Sequence, residues 1–186
     1  MNRIRFATSN PGKLAEARAF LTGWEVVEAP GDVDEDQPDF AGNAIKKATA
    51  AAAATGLVFA EDSGLEVGAL GGAPGVHSRR YAATDAARIA RLLAELAEKS
   101  DRSARFVAVI ALANGKDVQL FSGAVEGVIA IEPRGKGGFG YDPVFIPKEG
   151  DGRTFAEMGR EEKSALSHRG RALTALSAYL SAMLEP

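Results

Sequence analysis

The fold begins at residues 4–13, which read Ile-Arg-Phe-Ala-Thr-Ser-Asn-Pro-Gly-Lys. Ile4 and Phe6 alternate with charged neighbours, and this period of two predicts a short strand. Pro11 and Gly12 interrupt the strand, and apolar residues recur at helical spacing from Leu14 onward. The stretch therefore predicts a strand, a tight turn and a helix in immediate succession.

The next segments repeat this alternation. Residues 24–29 predict a second strand, and residues 30–39 predict an exposed acidic loop rich in turn-forming residues. Alanine and lysine predict a helix from Asn43 to about Thr55, where Gly56 ends it. The apolar run 57–60 is typical of a buried strand. This βαβαβ order favours parallel pairing in one sheet.

The second half of the chain predicts further strands and two helices. Residues 64–75 are dense in glycine and predict a loop that contains a short strand at 65–67. Thr84 caps a predicted amphipathic helix, and Asn114-Gly115 predicts a hairpin turn between strands 106–113 and 118–131. A glycine-rich loop, a short strand at 144–146 and a final helix complete the chain. We expect a single α/β domain over residues 1–186.

Composition excludes several classes of function. The 186 residues include 22 Lys and Arg against 25 Asp and Glu, which gives a formal net charge of −3 and no global basic field for a polynucleotide. The absence of cysteine excludes disulfides and thiol chemistry, and only two histidines are present. The sequence contains no pattern of a signal peptide or a membrane span, so we expect a cytoplasmic protein with no membrane partner.

Two basic segments are candidates for anion binding. The loop Thr8-Ser9-Asn10-Pro11-Gly12-Lys13 opens a helix, whose first N–H groups and dipole favour an anion, and Lys13 adds a full charge. The segment differs from the classical phosphate loop, and a plain structural turn is the alternative. On the alanine-rich helix, Lys46 and Lys47 point about 100° apart, so at most one of them faces a pocket, and two solvated surface lysines are the alternative.

Glu61-Asp62-Ser63-Gly64 directly follows the predicted buried strand 57–60. Ligands of α/β sheets bind outside the carboxyl ends of strands, which makes these acids candidates for catalysis. Adjacent carboxylates at such a place suit Mg²⁺, a hard cation that prefers oxygen ligands. The alternative is an Asp-Ser-Gly turn in which Asp62 only bonds to its own backbone.

Two later segments combine aromatic and basic residues. In residues 137–143, Phe139 is placed among glycines and could stack on a nucleobase, although core packing is the alternative. Residues 163–171 contain Lys163, His168 and Arg169, and so many cations in an acidic protein favour an anion. Capping of the final helix by Ser167 is the structural alternative.

Together these segments resemble the inosine and xanthosine triphosphate pyrophosphatases of the Ham1/RdgB family. The resemblance implies a homodimeric α/β enzyme with an elongated mixed β-sheet flanked by helices, and two lobes with a central cleft. It also implies Mg²⁺-dependent hydrolysis of dITP, ITP and XTP to the monophosphate and pyrophosphate, with a small-molecule nucleoside triphosphate as the partner. The matching segments are 8–13, 43–48, 61–65, 72–81, 139–143 and 163–170.

The resemblance also implies roles for individual residues. Asp62 corresponds to the proton acceptor and a metal ligand, with Glu61 as a second acid at the metal and Lys47 as the helix lysine at the triphosphate. The remaining residues correspond to substrate contacts on the phosphate side or the base side: Thr8, Ser9, Asn10, Pro11, Gly12, Lys13, Ser63, Phe139, Gly140, Tyr141, Asp142, Lys163, His168 and Arg169.

One position departs from the family pattern. Members commonly carry a metal-binding glutamate directly before the Asn-Ala pair, and this chain has Gly42 there. Glu35, Asp39 or Glu61 are candidates to replace it, and the alternative is an ion held mainly by Asp62 and the phosphates of the substrate. Two alternative functions follow: a pyrophosphatase for another aberrant nucleotide, and a catalytically silent nucleotide-binding protein.

Overall fold

The computed structural model describes residues 2–29, 33–52 and 56–184. Six strands form a sheet in the order β2-β1-β3-β4-β5-β6. The strands are β1 (Asn2–Ala7), β2 (Trp24–Ala29), β3 (Val58–Val67), β4 (Ser103–Asn114), β5 (Asp117–Ile129) and β6 (Phe145–Pro147). The helices are α1 (Pro11–Phe20), α2 (Phe40–Ala52), α3 (Asp85–Glu95), α4 (Arg160–Leu166) and α5 (His168–Ala182).

The sheet is mixed, as the sequence predicts. Strand β1 pairs in parallel with both β2 and β3, whereas β5 and β6 are antiparallel. The predicted hairpin is also present, because β4 and β5 are neighbours joined by a two-residue turn that begins at Gly115. Gly115 has a φ of 64°, a conformation that glycine adopts without strain. The predicted α/β class with a mixed sheet flanked by helices is confirmed.

Strand β3 corrects one prediction. Residues 61–64 do not follow the end of a strand, and residues 65–67 do not form a separate one, because Val58–Val67 is a single ten-residue strand. Gly64 is buried within it and has no positive φ, so it makes no turn. The pairing of Ala7 with Ala60 places Glu61 and Asp62 level with the carboxyl end of β1, where that shorter strand stops.

The chain divides into two compact units. The first contains residues up to Ser63, Ala108–Gly123 and the chain from Arg169 onward, and the second contains Gly64–Val107 and Ala124–His168. A single domain over residues 1–186 stays a prediction. Within the described ranges, no helix is long and apolar enough to cross a membrane.

Helix α2 is packed closely because its buried face is made of alanine. Ala44 and Ala48 are fully buried beside Val58 and Ala60 of β3, and their small side chains allow a short distance between helix and sheet. The predicted end of this helix near Thr55 lies outside the described residues. At the other end of the chain, the structure adds helix α4, which the sequence analysis did not predict.

The core of the first unit is centred on an aromatic pair. Phe6 of β1 and Phe59 of β3 are paired in register, and their rings stack with centroids 4.2 Å apart. Both side chains are excluded from solvent, among residues that include Leu21, Ile110 and Leu176. This pair fixes β1 against β3 directly before the loop that follows β1 and directly before the acids Glu61 and Asp62 of β3.

We expect Phe59→Ala to lower the free energy of unfolding by about 3–5 kcal/mol, because it removes a buried ring and leaves a cavity. Urea denaturation of the variant and the parent protein measures this difference. Leu120→Ala is the control, since Leu120 is 48% exposed, and we expect a change below about 0.5 kcal/mol. Equal losses in the two variants would contradict the assignment of Phe59 to the core.

Candidate functional site

The loop after β1 is organised by Asn10. Its side-chain Oδ1 caps helix α1 by accepting hydrogen bonds from the backbone N–H groups of Gly12 (2.9 Å) and Lys13 (3.2 Å). Asn10 in turn donates its own backbone N–H to Thr8 Oγ1 at 3.1 Å. Two of the N–H groups expected to face an anion therefore already have an acceptor inside the loop.

Lys13 reaches from α1 to strand β3. Its ammonium group lies 3.4 Å from Glu61 Oε1 and 3.4 Å from Ser63 Oγ. The contact follows from the register, because the end of β1 lies beside Glu61. Burial lowers the pKa of Lys13, and nearby Arg169 and Lys47 lower it further, against the opposing effect of Glu61.

Asp62 is held by two residues of helix α2, each one turn from the other. Asn43 Nδ2 donates to Asp62 Oδ2 at 3.0 Å, and Lys47 Nζ lies 3.4 Å from Asp62 Oδ1. Lys47 also donates to the backbone carbonyl of Glu61 at 2.8 Å. Lys46, its neighbour, instead pairs with exposed Asp36, so only one of the two lysines faces the acids.

A third acid belongs to this group. Glu35 Oε1 accepts from Lys47 Nζ at 2.8 Å, which brings the loop before α2 to the buried acids of β3. From the sequence, Glu35 is only one of three acids that could replace the glutamate that family members commonly carry at position 42. Its distance of 12 residues from Lys47 matches no helical or strand period, so the sequence holds no signal for this contact.

Arg169 lies at the start of α5 and forms two buried ion pairs. Its Nε donates to Glu61 Oε2 at 2.8 Å, and its Nη1 donates to Glu16 Oε2 at 2.8 Å. The resemblance groups Arg169 with the base-recognising residues, and the structure places its guanidinium beside Glu61 in the first unit. Glu16 was missed, although it follows Lys13 by three residues and therefore shares its helix face.

The two adjacent acids of β3 have opposite pKa shifts. Burial alone would raise the pKa of Glu61, but the charges of Arg169 and Lys13 outweigh it and hold this pKa far below the ordinary value. Burial raises the pKa of Asp62, and Lys47 and Asn43 offset this only in part. Environments that separate the pKa values of neighbouring acids are typical of catalytic sites.

The predicted base-side residues of the second unit form their own cluster. Asp142 Oδ2 accepts from Lys163 Nζ at 2.6 Å and from the backbone N–H of Phe139 at 2.7 Å. The ammonium group of Lys163 also lies 4.7 Å from the centroid of the Phe139 ring. Gly138 has a φ of 72° and leaves no room for a Cβ beside Asp142, so the turn requires glycine. Phe139 itself is 41% exposed.

Tyr141 and His168 are two further buried residues of that predicted group. Tyr141 donates its hydroxyl to the carbonyl oxygen of Ser78 at 2.9 Å, and His168 stacks on Phe106 with ring centroids 4.7 Å apart. Gly140 donates its backbone N–H to Asp85 at 2.8 Å. These contacts anchor the loop 137–142 and His168 within the second unit.

The donor set of the first unit suits a hard divalent cation. Asp62 and Glu35 offer carboxylate oxygens around one point, and Mg²⁺ is commonly bound by one or two carboxylates together with substrate phosphates. In the part of the chain that the structure describes, no three His, Asp or Glu side chains form a complete metal site. A cation bound here would therefore depend on oxygen ligands from a substrate or water.

The comparisons with known proteins agree with the fold and the motifs. The model of the Ham1 family matches residues 4–179. The chain belongs to the Ham1 family. The dITP/XTP pyrophosphatase of Gloeobacter violaceus is 52% identical over 182 residues, which are 95% of this chain and 93% of that protein. A dITP/XTP pyrophosphatase of Thermus thermophilus is 48% identical over 94% of this chain and 89% of its own length.

Solved structures of Ham1 proteins have the same fold. A HAM1 protein from Coxiella burnetii is 45% identical and superposes with a TM-score of 0.91 over 98% of this chain and 100% of that chain. The Ham1 protein of Staphylococcus aureus is 39% identical, with a TM-score of 0.89 over 98% of this chain and 100% of that chain. The Ham1 resemblance proposed from the sequence motifs is confirmed.

We expect Glu61→Gln to lower the free energy of unfolding at pH 7 by about 3–5 kcal/mol, because it removes the buried negative charge that faces Arg169 and Lys13. Folding lowers the pKa of Glu61 from its ordinary 4.5, so its stabilisation is complete above that value and is lost as the pH falls below it. Urea denaturation between pH 7 and pH 3 should therefore show the difference between variant and parent narrowing only in acid. A difference that is independent of pH would contradict this assignment.

Proposed function

We propose that this chain hydrolyses the triphosphates of deaminated purine nucleosides, dITP, ITP and XTP, to the monophosphate and pyrophosphate, and so removes them from the nucleotide pool. Membership of the Ham1 family and relatives named dITP/XTP pyrophosphatase support the reaction class. The observation that carries the mechanism is that two lysines from separate helices reach the adjacent acids of β3, Lys13 at Glu61 and Lys47 at Asp62.

The two lysines are proposed to bind the phosphate tail. A nucleoside triphosphate carries several negative charges, and the leaving pyrophosphate gains more as its bond to the α-phosphorus breaks. Lys13 and Lys47 are already fixed by their contacts with Ser63 and the Glu61 carbonyl oxygen, so little reorganisation is needed when the phosphates arrive. The loop of Thr8, Ser9, Asn10, Pro11 and Gly12 is proposed to contact the same phosphates.

Asp62 is proposed to accept the proton of the attacking water. The water oxygen forms a bond to the α-phosphorus, the bond from that phosphorus to the bridging oxygen breaks, and pyrophosphate leaves. The hydrogen bond from Asn43 fixes the orientation of the carboxylate, and its raised pKa makes it a better base than an exposed aspartate. Mg²⁺, with Asp62 as a ligand, would supply positive charge to the phosphates and to the developing negative charge on the leaving group.

The base is proposed to bind to the second unit. Phe139 offers an exposed ring for stacking, and Lys163 is the donor for the purine 6-oxo group, with Tyr141, Asp142, Gly140 and His168 shaping the loop around them. Adenine has an amino group at the same position, so a donor would face a donor and remain unmatched. This is the basis of the proposed preference for oxo purines.

The homodimeric state and the cytoplasmic location of the protein stay predictions from the sequence and its resemblance to the family. The two alternative functions are a pyrophosphatase for another aberrant nucleotide and a catalytically silent nucleotide-binding protein. The two experiments that follow distinguish both from the proposed function.

We expect Asp62→Asn to lower kcat for dITP by about 10²- to 10⁴-fold, because the amide cannot accept the proton of water. Pyrophosphate release in the presence of Mg²⁺ measures the rate, and the parent protein must form dIMP with pyrophosphate rather than orthophosphate. Asp36→Asn is the matched control, since Asp36 is exposed and pairs with Lys46. Turnover of Asp62→Asn within about tenfold of the parent would remove Asp62 from this role.

We expect kcat/KM for dITP and XTP to exceed that for dATP by roughly 10⁴, as in other sites that select by hydrogen bonding. Lys163→Met should reduce this ratio by lowering kcat/KM for dITP more than for dATP. Lys148→Met, at an exposed lysine of the same unit, controls for the lost charge. Equal values for dITP and dATP in the parent protein would refute the proposed base site.

A further inference from the structure

The loop before helix α2 is tied to the site by two contacts. The backbone N–H of Gln37 donates to Asn43 Oδ1 at 3.0 Å, and the other end of the same amide donates to Asp62 Oδ2. Two residues earlier, Glu35 reaches Lys47 at 2.8 Å. One asparagine therefore links the position of the loop to the orientation of Asp62.

This loop conformation requires a residue without a side chain at position 42. A Cβ added to Gly42 would lie 2.8 Å from Gln37 Cβ and 3.2 Å from Asp39 Oδ1. The first distance is too short for two carbon atoms, so any side chain there would force the loop away from the helix. Gly42 thus permits the approach of Gln37, and that approach brings Glu35 to Lys47.

Glu35 and Asp62 face a common point. The ammonium nitrogen of Lys47 lies 2.8 Å from Glu35 Oε1 and 3.4 Å from Asp62 Oδ1, so a single positive charge already contacts both carboxylates. The carboxylates of Glu35 and Asp62 also repel each other, and a shared cation would relieve this repulsion.

The other two acids considered for this position have different partners. Glu61 is bound between Arg169 and Lys13, and a divalent cation at its carboxylate would lie next to two positive charges. Asp39 is exposed and accepts the backbone N–H of Gly42 at 2.7 Å, which makes it a cap of helix α2.

We infer that Glu35 is the second carboxylate, with Asp62, that binds the divalent cation of this enzyme. The inference rests on the proposed function and names a ligand for it. Gly42 is the permissive residue, since it allows the loop 33–39 to deliver the carboxylate from outside the helix. Lys47 lies between the two acids and is then available to the phosphates of a substrate.

The test is a titration of the purified full chain with Mn²⁺ alone. The electron paramagnetic resonance signal of the free ion measures how much Mn²⁺ remains unbound. Mn²⁺ prefers the same oxygen ligands as Mg²⁺. Glu35→Gln should weaken Mn²⁺ binding by about tenfold or more, because it removes one charged ligand. The matched control Asp36→Asn, one residue further along the loop, should bind Mn²⁺ within about twofold of the parent protein.

Wild-type affinity in a folded Glu35→Gln variant would overturn the inference, as would an equal loss in Asp36→Asn. If thermal denaturation shows that Glu35→Gln is unfolded, Gly42→Ala is the deciding variant. Its methyl group displaces Gln37 and should weaken Mn²⁺ binding. Unchanged Mn²⁺ binding in Gly42→Ala overturns the inference. Pyrophosphate release by the parent protein is measured separately. Its absence refutes the proposed function, whereas active parent protein with unaltered metal binding in Glu35→Gln refutes only the role of Glu35.

Discussion

The site depends on the mutual neutralisation of charges that are removed from water. Lys47, Glu61, Asp62 and Arg169 are each almost fully buried, and an isolated charge in such a place would be prohibitively unfavourable. Each charge is stable because the others are present. The strands and helices that carry them must therefore hold the charges in fixed positions before any substrate arrives, and this prior order is what electrostatic catalysis requires.

The register of the sheet explains how these charges come together. Because β1 stops at Ala7 and β3 continues beyond Ala60, the loop after the shorter strand lies beside the acids of the longer one. The Phe6–Phe59 stack fixes that register from the core side. A ligand-binding site can thus form partway along a strand, provided that the neighbouring strand ends at that point.

Local patterns predicted most of the helices and strands, whereas the pairing between distant segments was not predictable from them. The strand, turn and helix of residues 4–20 were predictable, as were α3 with its Thr84 cap and the turn after Asn114. The long strand β3 was not, since its Ser-Gly pair has the composition of a turn. The pairing of acidic with basic side chains could not be predicted either, because the contact of Arg169 with Glu16, for example, joins residues 153 positions apart.

Positions 37 and 42 behave as one steric unit, because the Cβ of one fills the space that a Cβ of the other would need. A homologue with a side chain at position 42 must either have glycine at position 37 or hold the preceding loop farther out. The two positions are therefore expected to vary together among relatives. Within such a family, a carboxylate beside Asp62 could be supplied from a helix in some members and from a loop in others, with Asp62 itself left unchanged.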